Sequence, residues 1–487
     1  MKVRVRAILL MLIAGCSSPA PSSDAGADAG APDGGLDGGE MARAHVPAPF
    51  APTPETIAYC RGDDVAIEAR ITELLARMTL SQKLAMMSGA PFAEGVWPVG
   101  GDDALGIPGL HMLDGPRGLS AFSGKRGTAF PVAMLRGATW DPELERRVGR
   151  AMAREIRSAG ADVLLAPTIN LLRHPRWGRA QETYGEDVCH MGQMGVAFID
   201  GVQSENVIAS VKHYAANSIE DTRHTVDVEL DERTLREIYL PHFRRAVVDA
   251  RAGSVMSAYN SVNGSFCDLN RHLLTDILRD EWGFAGFVES DWFAGTHGDA
   301  ESVLAGLDIE MPFTSRFRAL PRAIREGRLT EHDIDRSVRR ILRAQFCFGL
   351  DARERVLDDP SARETPEHLA LALEVAQRGI VLLRNEGGAL PLDRSAIVEV
   401  AVLGRNAGAE SIGDMGSSSV RPTDVVTALE GLRDRAASGP SAVTITHVPD
   451  DGGALDAAGR AAVARAGAVV IVTGLRSEDE GEGEIAG

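Results

Sequence analysis

Aromatic residues are scarce, 5% of a 487-residue chain, so each ring set among polar side chains gains weight as a contact residue. Cysteine is scarcer still: five residues, Cys16, Cys60, Cys189, Cys267 and Cys347, with no CxxC pair and no metal-ligand spacing. No histidine pair has the helical or hairpin spacing of a metal site either. Neither a metal nor another cofactor is therefore expected, and the last four cysteines are expected as buried thiols or as one or two disulfides. Positive charge is in deficit. The net charge is −18 and the pI about 5.2, which excludes nucleic acid as a partner, because phosphate binding needs a basic face. It also argues against electrostatic docking to anionic lipid, and leaves an uncharged ligand unhindered. The remaining composition, 44% hydrophobic and 25% charged, is that of a globular protein long enough for two or three domains.

The N-terminus reads as a targeting segment. Lys2, Arg4 and Arg6 precede an apolar run, Ala7 to Ala14, too short to span a bilayer. Its end, Leu12-Ile13-Ala14-Gly15-Cys16, resembles the lipobox of bacterial lipoproteins, in which the cysteine is lipidated. Residues 1–16 are thus expected as a lipoprotein-type signal peptide, with a lipid anchor to the membrane through Cys16. Residues 17–49, rich in Pro, Ser, Ala, Asp and Gly, are expected as a disordered tether. An exported lipoprotein of the cell envelope, periplasmic or on the outer surface, follows from that reading.

From about residue 63 helical and strand-like segments alternate. Ile67, Ile71, Leu74, Leu75 and Met78 recur at helical spacing. Thr79 to Gln82 reads as a capping box. Asp141-Pro142 reads as a helix start, with Leu144, Val148 and Met152 on its apolar face and Gly160 at its end. Asp231 to Ala252 reads as one long helix closed by Gly253. Between helices lie short apolar runs that end in polar residues: GLHMLDGPRG, ADVLLAPTINLLRHP, NVIASVKHYAAN, GSVMSAYNS, GFVESDW and GLDIEMP. Alternation of this kind implies a parallel sheet. The expected fold is α/β: a (β/α)8 TIM-like barrel over residues 50–350, with functional groups at the strand C-termini. An interdomain linker and helix over 351–379 lead to a partial α/β/α sandwich over 380–487, with Val398 to Gly404 and Ala466 to Gly474 as buried parallel strands. The chain stops at SEDEGEGEIAG with no further element, so a truncated piece is expected.

The strand ends offer Asp114, Arg117, Arg173, His174, Lys212, His213, Tyr259 and Asp291. Singly, each has a bland reading: a turn, a solvated loop, a surface pair. Jointly, with Trp177 and Trp292 among them, they describe a polar pocket with aromatic walls, which suits a sugar.

The motifs DGPRG (114–118), RHPRWGRAQETYGED (173–187), KHYAAN (212–217), MSAYN (256–260), SDW (290–292) and GIVLLRNEGGALPL (379–392) together resemble glycoside hydrolase family 3, of β-glucosidase and β-xylosidase type. The resemblance implies a retaining, exo-acting β-glycosidase that acts on small-molecule or oligosaccharide β-glycosides. Asp291 falls on the family's nucleophile, the carboxylate that forms a glycosyl-enzyme. Asp114, Arg173, Lys212 and His213 fall on ligands of the sugar hydroxyls. Tyr259 falls beside the nucleophile and Trp292 on a ring packed beside the sugar. Arg173 and Lys212 are expected to depress the pKa of Asp291. The general acid comes from an acidic stretch of the second domain. Glu482, within Gly481-Glu482-Gly483, matches best and Glu480 second, and crowded carboxylates there are expected to raise the acid's pKa. The loop KHYAANSIEDTRHT lacks the PGHGDT pattern of the family's N-acetylglucosaminidases, which favours glucosidase or xylosidase activity. Two rival readings stand beside this one: a Schiff-base enzyme using Lys212, and a non-catalytic sugar-binding lipoprotein.

Overall fold

The computed structural model describes residues 64–413, 416–439, 442–449, 452–476, 478–479 and 481–482, together with the backbone of a strand at Arg6–Leu10. In the first half six strands form one sheet: β1 (Trp97–Val99), β2 (Leu110–Asp114), β3 (Val163–Leu165), β4 (Ile208–Tyr214), β5 (Ser254–Ser257) and β6 (Phe287–Glu289). They lie side by side in chain order. Every neighbouring pair is parallel except β1 and β2, which are antiparallel. All seven residues of β4 are buried, as expected of a parallel strand covered on both faces.

The expectation of eight parallel strands needs correction: the sheet is a curled half-barrel. GLDIEMP forms no regular strand. Ile309 makes one parallel bridge to Glu289, Glu310 makes one to Ser88, and Gly89 makes an antiparallel bridge to Val99. Pro312, which lacks an N–H, limits any longer ladder there. At this seam the backbones crowd: a Cβ on Gly89 would sit 2.2 Å from the Pro312 carbonyl oxygen, so the position requires glycine.

The helix starts follow the sequence. Thr79 and Gln82 form the reciprocal capping box, with Thr79 N donating to Gln82 Oε1 at 2.8 Å and Gln82 N to Thr79 Oγ1 at 3.3 Å. Asp141 caps the helix Pro142–Ser158 through Leu144 N at 3.0 Å. Leu144, Val148 and Met152 are buried on one face of that helix. Gly160, just beyond its end, adopts φ +96°. The single helix expected over Asp231 to Ala252 is instead broken. A short turn at Glu232–Thr234 and a widened turn at Leu235–Tyr239 precede a separate helix, Pro241–Val248. Pro241 cannot donate to the preceding turn, so the helix restarts there.

The helix expected within 351–379 spans Pro366–Gly379. Ile380, just past its end, takes extended backbone, and Ile380 to Leu383 are each more than half exposed. A second sheet follows: β7 (Glu399–Leu403), β8 (Thr444–His447) and β9 (Ala468–Val472), all parallel, with β7 in the middle. Arg6–Leu10 lies parallel to β9 on its other edge. Alternate residues of β7 face opposite sides. Val400 and Val402 pack with Leu429 of the helix Ala428–Ala437, and Ala401 and Leu403 with Ala462 of the helix Ala457–Arg465. The sheet therefore has a helix on each face. Apart from Arg6–Leu10, the expected signal peptide and tether lie outside the described residues, as do Cys16, Cys60 and Glu480. Cys189 and Cys267 are free thiols.

Candidate functional site

Parallel strands deliver their C-terminal residues to one rim, and Asp114, Lys212, His213 and Asp291 meet there. Asp114 closes β2, Lys212 and His213 lie near the end of β4, and Asp291 follows β6 by two residues. Lys212 Nζ lies 3.6 Å from Asp114 Oδ1, and His213 Nε2 lies 3.7 Å from Asp291 Oδ2. Asp291 is 5% exposed. Its Oδ1 accepts from the Trp292 N–H at 2.7 Å, whereas the buried Oδ2 has no hydrogen-bond partner. One carboxylate oxygen is thus anchored and the other is presented. Tyr259 Oη donates to the Trp292 carbonyl at 2.9 Å, which ties the phenol to the backbone beside Asp291.

The second half of the chain supplies the opposite wall. Its loop at 416–423 joins the barrel by backbone bonds: Ala121 N to Ser419 O at 2.8 Å and Gly127 N to Arg421 O at 3.2 Å. Gln181 Nε2 donates to Ser418 Oγ at 2.9 Å. Behind this staple lies Glu482, whose Oε2 accepts from Ser417 N at 2.8 Å. Its Oε1 faces Arg223 Nη1 at 3.2 Å and Arg179 Nη1 at 3.5 Å. Each arginine is itself held by a buried acid three residues away: Arg179 Nη2 by Glu182 Oε2 at 2.8 Å, and Arg223 Nη1 by Glu220 Oε2 at 3.0 Å. The Arg223 guanidinium also lies over the Tyr259 ring, 4.6 Å from its centre.

This arrangement corrects the expectation for Arg173. That side chain is exposed, with its guanidinium 6.0 Å from the Tyr239 ring centre, and the inward position belongs to Arg179, which is 1% exposed. Arg117 Nε donates to the Phe130 carbonyl at 2.9 Å, and His174 is exposed. Trp177 is buried, its indole N–H donating to Glu220 Oε1 at 3.4 Å. Arg179, Arg223, Asn170 and Ser417 were not singled out from sequence. The only local signal for the two arginines is an acid at i±3, common on any solvated surface.

The charge states differ from expectation too. Burial raises the pKa of Asp291, outweighing Arg179, Arg223 and Lys212, so it is not depressed. Burial likewise pushes Asp114 up to about 6, against the pull of Lys212. Glu482 moves the other way. Burial raises it, but Arg179, Arg223, Lys212 and the Ser417 N–H together hold it well below the carboxylate range, despite its acidic sequence neighbours. His213 is held neutral by burial and by Arg179, Lys212 and Arg223, which place it well below the usual imidazole value.

From the Asp291 side an aromatic run leads outward. Trp292 stands edge-on to Trp97 at 6.2 Å, Trp97 meets Phe92 at 4.6 Å and Phe293 at 6.1 Å, and Phe293 meets Phe313 at 5.9 Å. Phe92, Phe293 and Phe313 are exposed. The Trp292 indole N–H is buried without a partner. In a chain with so few rings, five gathered at one rim form an apolar ledge continuous with the polar cluster.

Beneath the cluster, Glu289 is wholly buried and accepts from the Ser210 and Ser254 hydroxyls. Burial pushes it up to about 7. An acid whose folded pKa is raised binds more protons folded than unfolded, so its contribution to stability falls as pH rises from its unfolded value to about 7. Glu289→Gln, which keeps the shape and drops the charge, is expected to gain about 3 kcal/mol on wild type between pH 4 and pH 8. Paired denaturant titrations at the two pH values measure this; an unchanged difference contradicts it.

Among the described residues no group of three or more His, Cys, Asp or Glu could hold a metal ion. Residues 100–344 match the glycosyl hydrolase family 3 N terminal domain and residues 380–485 the C-terminal domain of the same family. A β-glucosidase of Rhizobium radiobacter is 42% identical over 369 residues, 74% of this chain and 44% of that protein. β-Glucosidase B of Emericella nidulans is 39% identical over 374 residues, 75% of this chain and 43% of that protein. The chain thus spans less than half the length of these curated relatives. Among solved structures, β-glucosidase 3B from Thermotoga neapolitana in complex with glucose superposes with a TM-score of 0.71 at 35% identity, covering 77% of this chain and 55% of that one. The family 3 β-glucosidase of Bifidobacterium adolescentis does so with 0.75 at 33% identity, covering 84% and 59%. With two matched domains and one rim of converging carboxylates and cations, the chain belongs to glycosyl hydrolase family 3.

Proposed function

We propose that this chain carries the catalytic centre of a retaining exo-β-glucosidase that releases terminal β-D-glucose from β-glucosides. The observation that carries the proposal is Asp291 Oδ2: buried, unpartnered, and set on the rim that holds Lys212, His213 and Asp114. In the first step Oδ2 bonds to the anomeric carbon and the glycosidic C–O bond breaks, with a proton from Glu482 going to the departing oxygen. In the second step water attacks the anomeric carbon, its proton goes to Glu482, and Asp291 leaves as carboxylate. Arg179 and Arg223 hold Glu482 ionised at rest, the state in which it takes up the proton of the second step. The first step draws on the fraction that acquires a proton.

Asp114, Lys212 and His213 are the hydroxyl ligands in this reading, and Arg179 takes the place expected of Arg173. The aromatic ledge from Trp292 to Phe313 borders the side where the leaving group departs. The Schiff-base reading of Lys212 requires an amine in an apolar pocket, whereas its Nζ faces Asp114. A panel of nitrophenyl β-glycosides tests the proposal. β-Glucoside turnover is expected to exceed that of the xyloside, arabinoside and N-acetylglucosaminide; binding of glucose with no turnover of any aryl glycoside supports a sugar-binding role instead.

A further inference from the structure

Asn170 lies in the loop after β3, where Ile169 N donates to Lys212 O at 2.9 Å and Lys212 N to Pro167 O at 3.0 Å. These bonds set Asn170 against His213. Three contacts join the two residues. Asn170 Nδ2 donates to the His213 carbonyl at 2.8 Å, and Asn170 Oδ1 lies 2.8 Å from His213 N and 3.0 Å from His213 Nδ1. Asn170 is 1% exposed, and its own carbonyl accepts from Thr183 Oγ1 at 2.6 Å.

The orientation of this amide is forced. A backbone N–H can only donate and a backbone carbonyl can only accept, so the amide oxygen must face His213 N and the NH2 must face His213 O. That places an atom that only accepts beside Nδ1. Nδ1 must then carry the ring proton. His213 is neutral, since burial and three neighbouring cations oppose a second proton. Nε2 is therefore a bare lone pair, and it is the atom that faces Asp291 Oδ2 at 3.7 Å. Two acceptors on one small gap leave room for one kind of partner, a group that donates.

We propose that Asn170 is a positioning residue that fixes the Nδ1–H tautomer of His213, so that Nε2 accepts a hydrogen bond from a hydroxyl of the bound sugar. The inference rests on the proposed glycosidase reading for its sugar, but Nδ1–H stands on the hydrogen bonds, and the bare Nε2 on these together with the burial and the neighbouring cations of His213. The opposite tautomer would place an N–H against Asp291 Oδ2 and occupy the attacking oxygen.

The test reads the tautomer first. In the wild-type protein with 15N-labelled histidine, His213 is assigned by its loss in His213→Gln. Its Nδ1 is expected to resonate as a protonated, pyrrole-type nitrogen and its Nε2 as an unprotonated, pyridine-type nitrogen at neutral pH. A protonated Nε2 overturns the proposal, whatever the activity. The second arm is Asn170→Ala. Loss of the fixed acceptor is expected to mix the tautomers and lower kcat/KM on an aryl β-glucoside by about 10- to 100-fold. Asn170→Ser, which retains a hydroxyl able to accept, is expected to recover part of that loss. A folded Asn170→Ala protein that loses activity while His213 keeps a single Nδ1–H tautomer makes Asn170 merely structural. Absence of hydrolysis by wild type, with the expected tautomer present, counts against the glycosidase reading and leaves the Asn170–His213 relation intact.

Discussion

Asp291→Ala is expected to lower turnover of an aryl β-glucoside by about 10,000-fold or more, as removal of a nucleophile does in other covalent mechanisms. The same change is expected to leave the thermal midpoint unchanged or raise it. The carboxylate is buried and its pKa is raised, so its ionised form is a cost to the folded state at neutral pH. Only one of its oxygens is hydrogen-bonded, to the Trp292 N–H. Alanine sacrifices that bond, worth about 1 kcal/mol, and removes a buried charge. Activity and stability should therefore part company at this position. Azide makes the result diagnostic. In the cavity left by the side chain it attacks from the nucleophile's side and gives the α-glucosyl azide. Near-normal rates for Asp291→Ala, or a fall in activity that merely tracks unfolding, would remove Asp291 from the mechanism.

Glu482→Ala is expected to behave differently. Loss of a general acid costs about 100- to 10,000-fold, but the cost depends on how much help the departing oxygen needs. Cellobiose and alkyl glucosides should suffer most, and dinitrophenyl glucoside least. With dinitrophenyl glucoside the second step becomes slow, so a burst of phenolate is expected. Azide should restore turnover by attacking the glycosyl-enzyme, and the product is then the β-glucosyl azide, the opposite anomer from the Asp291 case. Removal of Glu482 also leaves Arg179 and Arg223 facing each other without their shared anion, so a lower thermal midpoint accompanies the kinetic loss. Equal losses on good and poor leaving groups, with no β-azide formed, would show that the proton comes from elsewhere.

Much of this site was legible because a parallel strand aims its C-terminus at one rim, so an apolar run that stops at an acid or a cation gives both an element and a candidate site residue. Asp114, Lys212, His213 and Asp291 were found that way, and the structure gathers them. Tyr259 and Trp292 followed by the same logic. The choice among the arginines of RHPRWGR was not legible. Arg173, Arg176 and Arg179 share one local environment in sequence, and only the turn at Ala180–Glu182, which brings Glu182 under the third, decides which one is buried. The charge state of Glu482 was hidden for a related reason. Its neighbours along the chain are acids, but its neighbours in space are Arg179 and Arg223, 303 and 259 residues away. Sequence proximity predicted a raised pKa, and the fold lowers it. Burial likewise overrides the cations around Asp291, because a desolvated carboxylate loses more from water than it regains from partners several ångströms off. The break at Pro241 was legible in principle, since proline in the middle of a helical pattern ends or restarts it. The half-barrel was not. Pro312 within GLDIEMP limits a longer ladder, but that Ile309 bridges Glu289 while Glu310 bridges Ser88 is set by distant partners, which no local pattern encodes.

The proposed mechanism turns on a covalent bond between a sugar and one oxygen, Asp291 Oδ2. A 2-deoxy-2-fluoro-β-glucoside with a dinitrophenyl leaving group forms such a bond and is slow to release it, because the fluorine destabilises the positively charged transition state of hydrolysis. Mass spectrometry of the digested, inactivated protein is expected to show one fluoroglucosyl group, on the peptide that contains Asp291. A label on any other residue, or rapid turnover and inactivation with no label at all, would rule out Asp291 as the nucleophile.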